Sequence, residues 1–332
     1  MRRALPLLIL ASLTTLPSAC SGGPPSRPSP PLATSATALP AGAYVWDLRD
    51  DSPVFAVTNG AGESEIRSLE GLVAPPVPGH ERELFRAVRG LPGGDLWACF
   101  ETGVASYLGG VWSYIALTET GAEGSCSSLD ATSADNLYVG VGNSVCSYDR
   151  VAWDCYDFPA PTREVTLTSG HLWFVRASPA HDDLMVIDTI TRATPSLVRL
   201  GPAGTTGRVL PVPSAEEVAV MHWADAEGER AARFIDVDGN IREQDAEYIV
   251  PVGPSEHYLV SVDTSGEPRC TGGLLGMCGA GSVWSQAVYH RVRGGVATEV
   301  GHLEGNAVGV PSWAFLDGSM LRVPTDPLRY LP

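Results

Sequence analysis

Short apolar runs alternate with turn-forming residues along most of the chain. The runs are rich in Val, Ile, Phe, Tyr and Trp, and Gly, Pro, Asp, Asn and Ser separate them. This pattern is typical of short β-strands joined by tight turns. Only the stretch ERELFRAVRG, residues 81–90, has a helical spacing of apolar positions, and it predicts about two turns at most. The sequence therefore predicts an all-β protein.

Two stretches of the chain repeat each other. They are GGDLWACFETGVASYLGGVWSYI, residues 93–115, and ADNLYVGVGNSVCSYDRVAWDCYDF, residues 134–158. In each, a turn ending in Asp or Asn is followed by an apolar strand with an aromatic residue, and two further strands carry Tyr and Trp. The strand with the aromatic residue recurs about every 41 residues. Its marker positions are Phe55, Trp97, Tyr138, Trp173, Ala219, Leu259 and Ala314.

This repeat predicts a radial arrangement of small sheets. A four-stranded unit of about 41 residues cannot cover its own faces, whereas stacking such units in a ring covers both. The two clearest repeats resemble those of secreted bacterial propeller-repeat proteins. We therefore expect a β-propeller of seven four-stranded blades over residues 43–332, with the marker aromatic residue filling the wedge between neighbouring blades.

Three alternatives stay open for this architecture. A pair of β-sandwiches is also rich in short strands, although it lacks such a repeat. The ring could hold six or eight blades. The stretch AYVWDL, residues 43–48, could open the first blade or cross over to close the ring.

The N-terminus has the features of an export signal. Arg2 and Arg3 precede an apolar run, residues 4–16, which is too short for a spanning helix. The segment resembles a bacterial lipoprotein signal, which implies a signal peptide over residues 1–19 and lipid attachment at Cys20. It departs from that family at Pro17, where Leu is usual. The alternative is an ordinary secretory signal, which would release a secreted protein.

The segment after Cys20 predicts a tether. Residues 20–42 are rich in Pro, Ser, Gly, Ala and Thr and cannot bury enough apolar surface to fold. We expect it to hold the propeller away from a membrane at the bacterial cell envelope. The resemblance to lipoproteins implies the outer membrane, because Ser and not Asp follows the cysteine.

The remaining six cysteines predict disulfides, since exported proteins meet an oxidising compartment. Cys146 and Cys155 fall opposite one another if Arg150 and Val151 form the turn of a hairpin. Cys270 and Cys278 enclose a short loop, and Cys99 and Cys126 pair by elimination. Closely spaced cysteine doublets are absent from the sequence, so we expect no zinc site.

Charge excludes one class of partner. The formal net charge is −16 and the basic residues are scattered, so the sequence offers no patch for nucleic acid. The expected partners are the membrane, through the N-terminal lipid, and an envelope protein or glycan.

Candidate ligand contacts come from three stretches that read as long loops between the second and third strands of blades four, five and six. They cover residues 176–183, 224–231 and 263–281, and they would form one sector of a single face. Their candidate ligand-binding residues are His181, Asp182, Asp183, Asp225, Glu227, Glu229 and Arg269.

The motifs of familiar enzymes are absent from the sequence. It contains no nucleophile elbow, zincin helix or phosphate-binding loop. His171 and His257 precede marker strands and are interpreted as structural. Residues 236–247 partly match a calcium loop, but Ile241 stands where that loop needs Gly, which favours a hairpin. We expect no cofactor, metal or catalytic residue.

Three functions remain open at this point. The first is a non-enzymatic binding or scaffold propeller anchored at the envelope. The second is a propeller enzyme acting on extracytoplasmic glycans or peptides, with His181 and Asp183 as the pair to test. The third is a calcium-stabilised component of an assembly. The first needs only what the sequence contains, and is favoured for that reason.

Overall fold

The structure is a computed structural model. It describes residues 37–38, 45–49, 52–68, 70–192, 196–222, 231–244, 246, 248–266, 284–305, 320–321 and 329–330. In this part of the chain no helix is long and apolar enough to cross a bilayer.

Six consecutive four-stranded antiparallel sheets, blades 1 to 6, account for most of the described strands. Within each blade the strands pair in chain order. Blade 1 contains β2 (Val45–Arg49), β3 (Ser52–Thr58), β4 (Ser64–Ser68) and β5 (Gly71–Ala74). Blade 2 contains β6 (Ala87–Gly90), β7 (Leu96–Cys99), β8 (Gly103–Leu108) and β9 (Val111–Ala116). Blade 3 contains β10 (Cys126–Ser133), β11 (Asn136–Val141), β12 (Ser144–Tyr148) and β13 (Trp153–Asp157).

The next three blades follow the same scheme. Blade 4 contains β14 (Thr162–Leu167), β15 (His171–Ala177), β16 (His181–Asp188) and β17 (Ser196–Pro202). Blade 5 contains β18 (Thr206–Pro211), β19 (Glu217–His222), β20 (Ala231–Asp236) and β21 (Ile241–Gln244). Blade 6 contains β22 (Tyr248–Gly253), β23 (Glu256–Gly266), β24 (Trp284–Arg293) and β25 (Val296–Gly305). Two short 3-10 turns lie at Pro92–Gly94 and Leu117–Thr120.

A seventh, three-stranded sheet joins the two ends of the chain. Its order is β1 (Thr37–Ala38), β27 (Arg329–Tyr330), β26 (Met320–Leu321). This sheet, called the closing sheet below, therefore includes residues 37–38 from the segment expected to be a tether, while Val45–Arg49 opens blade 1. Six blades plus this closing sheet are consistent with the expected seven units.

The blades stand around a common axis. The first strand of each blade lies beside the first strand of the next, from β2 through β6, β10, β14 and β18 to β22. We call the upper face the one formed by the turns between second and third strands and by the blade-to-blade connections. The lower face carries the turns between first and second strands and between third and fourth strands. This is a β-propeller, and the all-β prediction is confirmed.

The core lies between the blades. The six described marker positions all fall on second strands, where alternate side chains face opposite neighbours. Leu96 packs with blade 1, whereas Trp97 packs against Leu137 and Val139 of blade 3. The wedge-filling role predicted for the aromatic marker is confirmed there.

The structure explains the loss of the aromatic marker in blade 5 and corrects the helix expected in blade 2. Blade 5 has Ala219 at its marker position because Phe234 lies directly opposite on β20 and fills the wedge instead. The short helix expected over residues 81–90 is wrong, since Ala87–Gly90 pair with Leu96–Cys99 as a strand. In that stretch Phe85 and Val88 are the deeply buried side chains, too few for a helical face.

Both disulfides expected in blades 2 and 3 are present. Cys99 of β7 is bonded to Cys126 of β10, which joins blade 2 to blade 3. Cys146 and Cys155 lie directly opposite one another on β12 and β13, the third and fourth strands of blade 3. Cys270 and Cys278 lie outside the described residues.

Candidate functional site

The central channel contains a cavity of about 150 Å³. Residues from the first strands of blades 1 to 5 line it, and many of them are polar because these inner strands face water in the channel rather than a neighbouring blade. Its charged lining residues are Asp47, Arg86, Arg89, Asp130, Glu164 and Arg208.

The lower part of the channel holds a buried ionic cluster. Arg89 Nη1 lies 3.1 Å from Asp47 Oδ1, and Arg89 Nε lies 2.9 Å from Asp130 Oδ1. The second oxygens of these carboxylates accept backbone N–H groups from Gly90 at 2.7 Å and Leu167 at 2.8 Å. The charges of Asp47 and Asp130 raise the pKa of Arg89 far above its ordinary value. The cluster links blades 1 to 4, and its contacts stabilise the packing of these blades against one another.

The upper part of the channel is different because it exposes a charged pair on a strained backbone. Glu164 has φ 54°, and it is the described non-glycine residue with positive φ that lies within a strand. The register of β14 with β15 shifts at this point, which turns the Glu164 side chain towards the channel. Its Oε2 lies 3.5 Å from Nη1 of Arg208, and their side chains keep 19% and 41% exposure. Strained residues of this kind concentrate at functional sites.

The predicted loop over residues 176–183 is wrong. Arg176 and Ala177 end β15, and His181 begins β16, so the turn between them contains only residues 178–180. Asp182 and Asp183 are strand residues with fully buried side chains. Their charge is offset by arginines on neighbouring strands, which the local sequence does not reveal.

Asp182 joins blade 4 to blade 5. Its Oδ2 accepts hydrogen bonds from Arg163 Nη2 at 2.7 Å and from the backbone N–H of Thr206 at 3.0 Å. Its Oδ1 accepts the N–H of Gly204 at 3.2 Å. A buried carboxylate with three donors is a strong structural contact.

Asp183 lies in a second ionic group. Arg176 Nη2 donates to its Oδ2 at 2.7 Å, and His181 Nε2 lies 3.3 Å from the same oxygen. Arg199 Nη2 lies 3.2 Å from His181 Nε2. The structure thus brings His181, Asp182 and Asp183 together at the top of blade 4, where only His181 keeps appreciable exposure.

The other ligand contacts predicted from the sequence fall on the loops expected in blades 5 and 6. Asp225, Glu227 and Glu229 lie outside the described residues, as does Arg269. Their ligand-binding role stays a prediction.

The structural interpretations of two histidines have a geometric basis. His171 Nδ1 lies 2.8 Å from Glu216 Oε2, so it ties the lower turn of blade 4 to that of blade 5. His257 is buried beside the ring of Phe234, and burial followed by the charge of Arg242 lowers its pKa.

The hairpin interpretation of residues 236–247 is confirmed for the described part. Asp236 ends β20, Ile241 begins β21, and the two pair directly across the turn at Ile235 and Ile241. Asp236 Oδ1 accepts the N–H groups of Asp238 and Asn240 within the turn. Over the described ranges no group of three or more His, Cys, Asp or Glu residues is arranged to hold a metal ion.

The charged pairs in the channel were not predicted from the sequence. Asp47 and Arg89 are 42 residues apart and Glu164 and Arg208 are 44 apart, close to the length of one repeat. The sequence did contain a signal for these pairs. In each pair, two residues of opposite charge lie about one repeat apart, and each lies ahead of a marker strand.

Comparison with known proteins agrees with this architecture. No family model matches the sequence, and no curated protein matches it. Among solved structures, it is similar to a virginiamycin B lyase from Staphylococcus aureus (11% identity, TM-score 0.59), with 89% of this chain and 98% of that chain covered. It is also similar to a streptogramin B lyase (13% identity, TM-score 0.57), with 89% of this chain and 96% of that chain covered. A third similar structure is the Dos1 propeller (10% identity, TM-score 0.51), with 89% of this chain and 93% of that chain covered. Identities this low show the fold alone, and the chain is a β-propeller.

Proposed function

We propose that this protein is a non-enzymatic binding or scaffold propeller, anchored at the bacterial cell envelope by a lipid on Cys20. Its ligand, an envelope protein or a glycan, binds at the upper mouth of the central channel. The observation that carries the proposal is the Glu164–Arg208 pair, which lines the cavity from a strained backbone position.

The contrast within the channel supports this location. The lower cluster around Arg89 is enclosed by carboxylates and backbone donors that hold the blades together. The upper pair spans 3.5 Å, at the outer limit of a hydrogen bond, and both side chains remain accessible. A ligand with hydrogen-bonding groups can replace such a long contact with little loss of binding free energy.

Two further observations support export and anchoring. The disulfides Cys99–Cys126 and Cys146–Cys155 are typical of an oxidising compartment. The signal-like segment before Cys20 supplies the route to the envelope.

The experiment compares two charge-neutral double variants by crosslinking and affinity capture from the native membrane. Glu164→Gln with Arg208→Gln alters the mouth. Glu217→Gln with Arg242→Gln alters a lower-face pair whose side chains have similar exposure, 19% and 49%. We expect the captured partner to fall about tenfold with the mouth variant and to stay unchanged with the control. Equal capture by all three proteins, or no specific partner for the wild type, would contradict the proposal, and mass spectrometry of Cys20 tests the anchor separately.

One observation favours a second candidate, an enzyme acting on glycans or peptides. His181 is partly exposed and lies beside the buried carboxylate of Asp183, an arrangement that can orient a general acid or base. Two of the similar folds are lyases by name. Turnover on a glycan or peptide panel that His181→Ala abolishes would favour the enzyme, and no turnover by the wild type would exclude it.

A further inference from the structure

An exposed aliphatic side chain recurs at the same place in all six blades. Each lies in the turn between the third and fourth strands or at the start of the fourth strand, on the outer edge of the lower face. Together they form the lower rim: Leu72, Val111, Val151, Ile190, Ile241 and Val296. Six of the eight large exposed hydrophobic side chains in the described chain fall here, so the placement follows the repeat and is not random scatter.

The turns present these side chains rigidly. Asp149 Oδ1 accepts the backbone N–H of Val151 at 2.9 Å, and Asp188 Oδ1 accepts that of Ile190 at 2.8 Å. The two side chains are 88% and 86% exposed. Because a hydrogen-bonded turn holds each of these two aliphatic groups in an exposed position, little conformational entropy is lost when a partner covers them.

The shape of the rim favours a flat partner. Equivalent turns of a propeller lie on one rim, so a plane can meet all six aliphatic groups at once. The groups are separated around the circumference, and a protein partner of ordinary interface size would cover only neighbouring ones. A bilayer surface meets all six.

The direction of the N-terminal strand places the tether on this same face. β1 is an edge strand of the closing sheet and precedes β2 in the chain, just as β5, the outer strand of blade 1, precedes β6. Such outer strands run from the lower face to the upper face. By this scheme Thr37, the first residue of β1, lies towards the lower rim.

We propose that the lower rim rests on the surface of a lipid bilayer, with its aliphatic side chains inserted among the headgroups. This inference rests on the proposed anchor at Cys20, from which about 17 residues, at most ~60 Å of extended chain, lead to Thr37. A tether of that reach keeps the rim close to the membrane. The upper mouth then faces away from the bilayer, open to ligands.

Charge indicates which lipids the rim prefers. Arginines beside the rim are already paired within the protein, as Arg150 is with Asp135 and Arg293 is with Glu256. The whole chain is also strongly acidic. The attraction is therefore apolar, and binding should persist on zwitterionic vesicles and weaken when anionic lipid is added.

The test measures flotation with phosphatidylethanolamine–phosphatidylcholine vesicles. Cys20→Ser in the full chain prevents lipidation, and the apolar segment before it is common to every variant compared, so a difference between the variants reports on the rim. In that background, Val151→Asp with Ile190→Asp adds two charges to the lower ends of blades 3 and 4. Asn143→Asp with Ala180→Asp adds the same charges to exposed upper turns of the same blades.

We expect vesicle binding to fall about tenfold or more with the rim variant and to change less than twofold with the control. Equal loss in both variants, or no binding by the Cys20→Ser chain, would overturn the proposal. The proposal would also be overturned if the protein formed a dimer that the rim substitutions dissociate, and if it did not bind vesicles. A second copy of the chain would then cover the rim. Finding Cys20 unmodified in the native protein would remove the anchor but leave the rim result standing.

Discussion

Neighbouring blades must be held together, and two junctions achieve this in different ways. One lies between blades 2 and 3, and the other lies between blades 4 and 5. Both pack a marker tryptophan between sheets, Trp97 in one and Trp173 in the other. Near the upper face the first junction is fastened by the Cys99–Cys126 disulfide, and the second by the buried carboxylate of Asp182. One fastening depends on redox state and the other on charge complementarity, so different treatments should open them.

The largest effect on stability is expected from removing the buried carboxylate of Asp182 between blades 4 and 5. Asp182→Ala leaves Arg163 and the N–H groups of Thr206 and Gly204 without their buried acceptor. We expect the free energy of unfolding to fall by about 3–5 kcal/mol, because two backbone N–H groups and the partly exposed Arg163 would lose their shared acceptor. Chemical denaturation measures this change.

A matched control separates burial from mere ion pairing. Glu101→Ala breaks the exposed pair with Arg86, and we expect a loss of at most about 1 kcal/mol. Asp182→Asn keeps an oxygen acceptor and should fall between the two. A loss below about 1 kcal/mol for Asp182→Ala would show that the junction does not depend on this carboxylate.

The two junctions also show what sequence can and cannot predict. The marker strands and the Cys146–Cys155 pair follow from local repeats and from two-residue alternation, so the sequence alone located them. Asp182 and Asp183 were assigned to a loop because Ser, Pro and two Asp residues close together usually form one. The burial of Asp182 depends on Arg163 and Thr206, which are 19 and 24 residues away. Asp183 is bonded to Arg176 across the hairpin. The run of Ser, Pro and Asp residues encodes neither partner.

The channel mouth was missed for a related reason. The left-handed backbone of Glu164 arises from a register shift between two strands, which turn-residue chemistry does not predict. Its pairing with Arg208 follows from the radial stacking of blades. Only a fold hypothesis combined with the repeat spacing would have placed the two together.

The next effect concerns the covalent fastening. Cys99→Ala with Cys126→Ala should lower the free energy of unfolding by about 3 kcal/mol, because the bond closes a long loop and joins two blades. Cys146→Ala with Cys155→Ala should cost somewhat less, since that bond lies within one hairpin and closes a shorter loop. Denaturation of both double variants measures the difference. The opposite order would contradict a role for Cys99–Cys126 in holding the blades together.

The smallest effect is expected at the lower face of the blade 4–5 junction. Glu216 accepts hydrogen bonds from Thr168 at 2.5 Å and Ser169 at 2.6 Å, besides its contact with His171. Burial alone would raise the pKa of Glu216, but these hydrogen bonds outweigh it and leave the pKa below its ordinary value. The ionised form is therefore favoured in the folded state, and its contribution to stability is present above pH 4.5 and is lost as the pH falls further.

Glu216→Gln tests this pH dependence. We expect a loss of about 1–2 kcal/mol in the free energy of unfolding at neutral pH, because the charge-assisted bonds are weakened. The difference from the wild type should shrink as the pH falls below 4.5. Glu217→Gln, next in the chain but paired with exposed Arg242, should change stability by only about 0.5 kcal/mol. Denaturation curves measured between about pH 3 and about pH 7 test this expectation. A pH-independent difference would mean that Glu216 acts through packing and not through its charge.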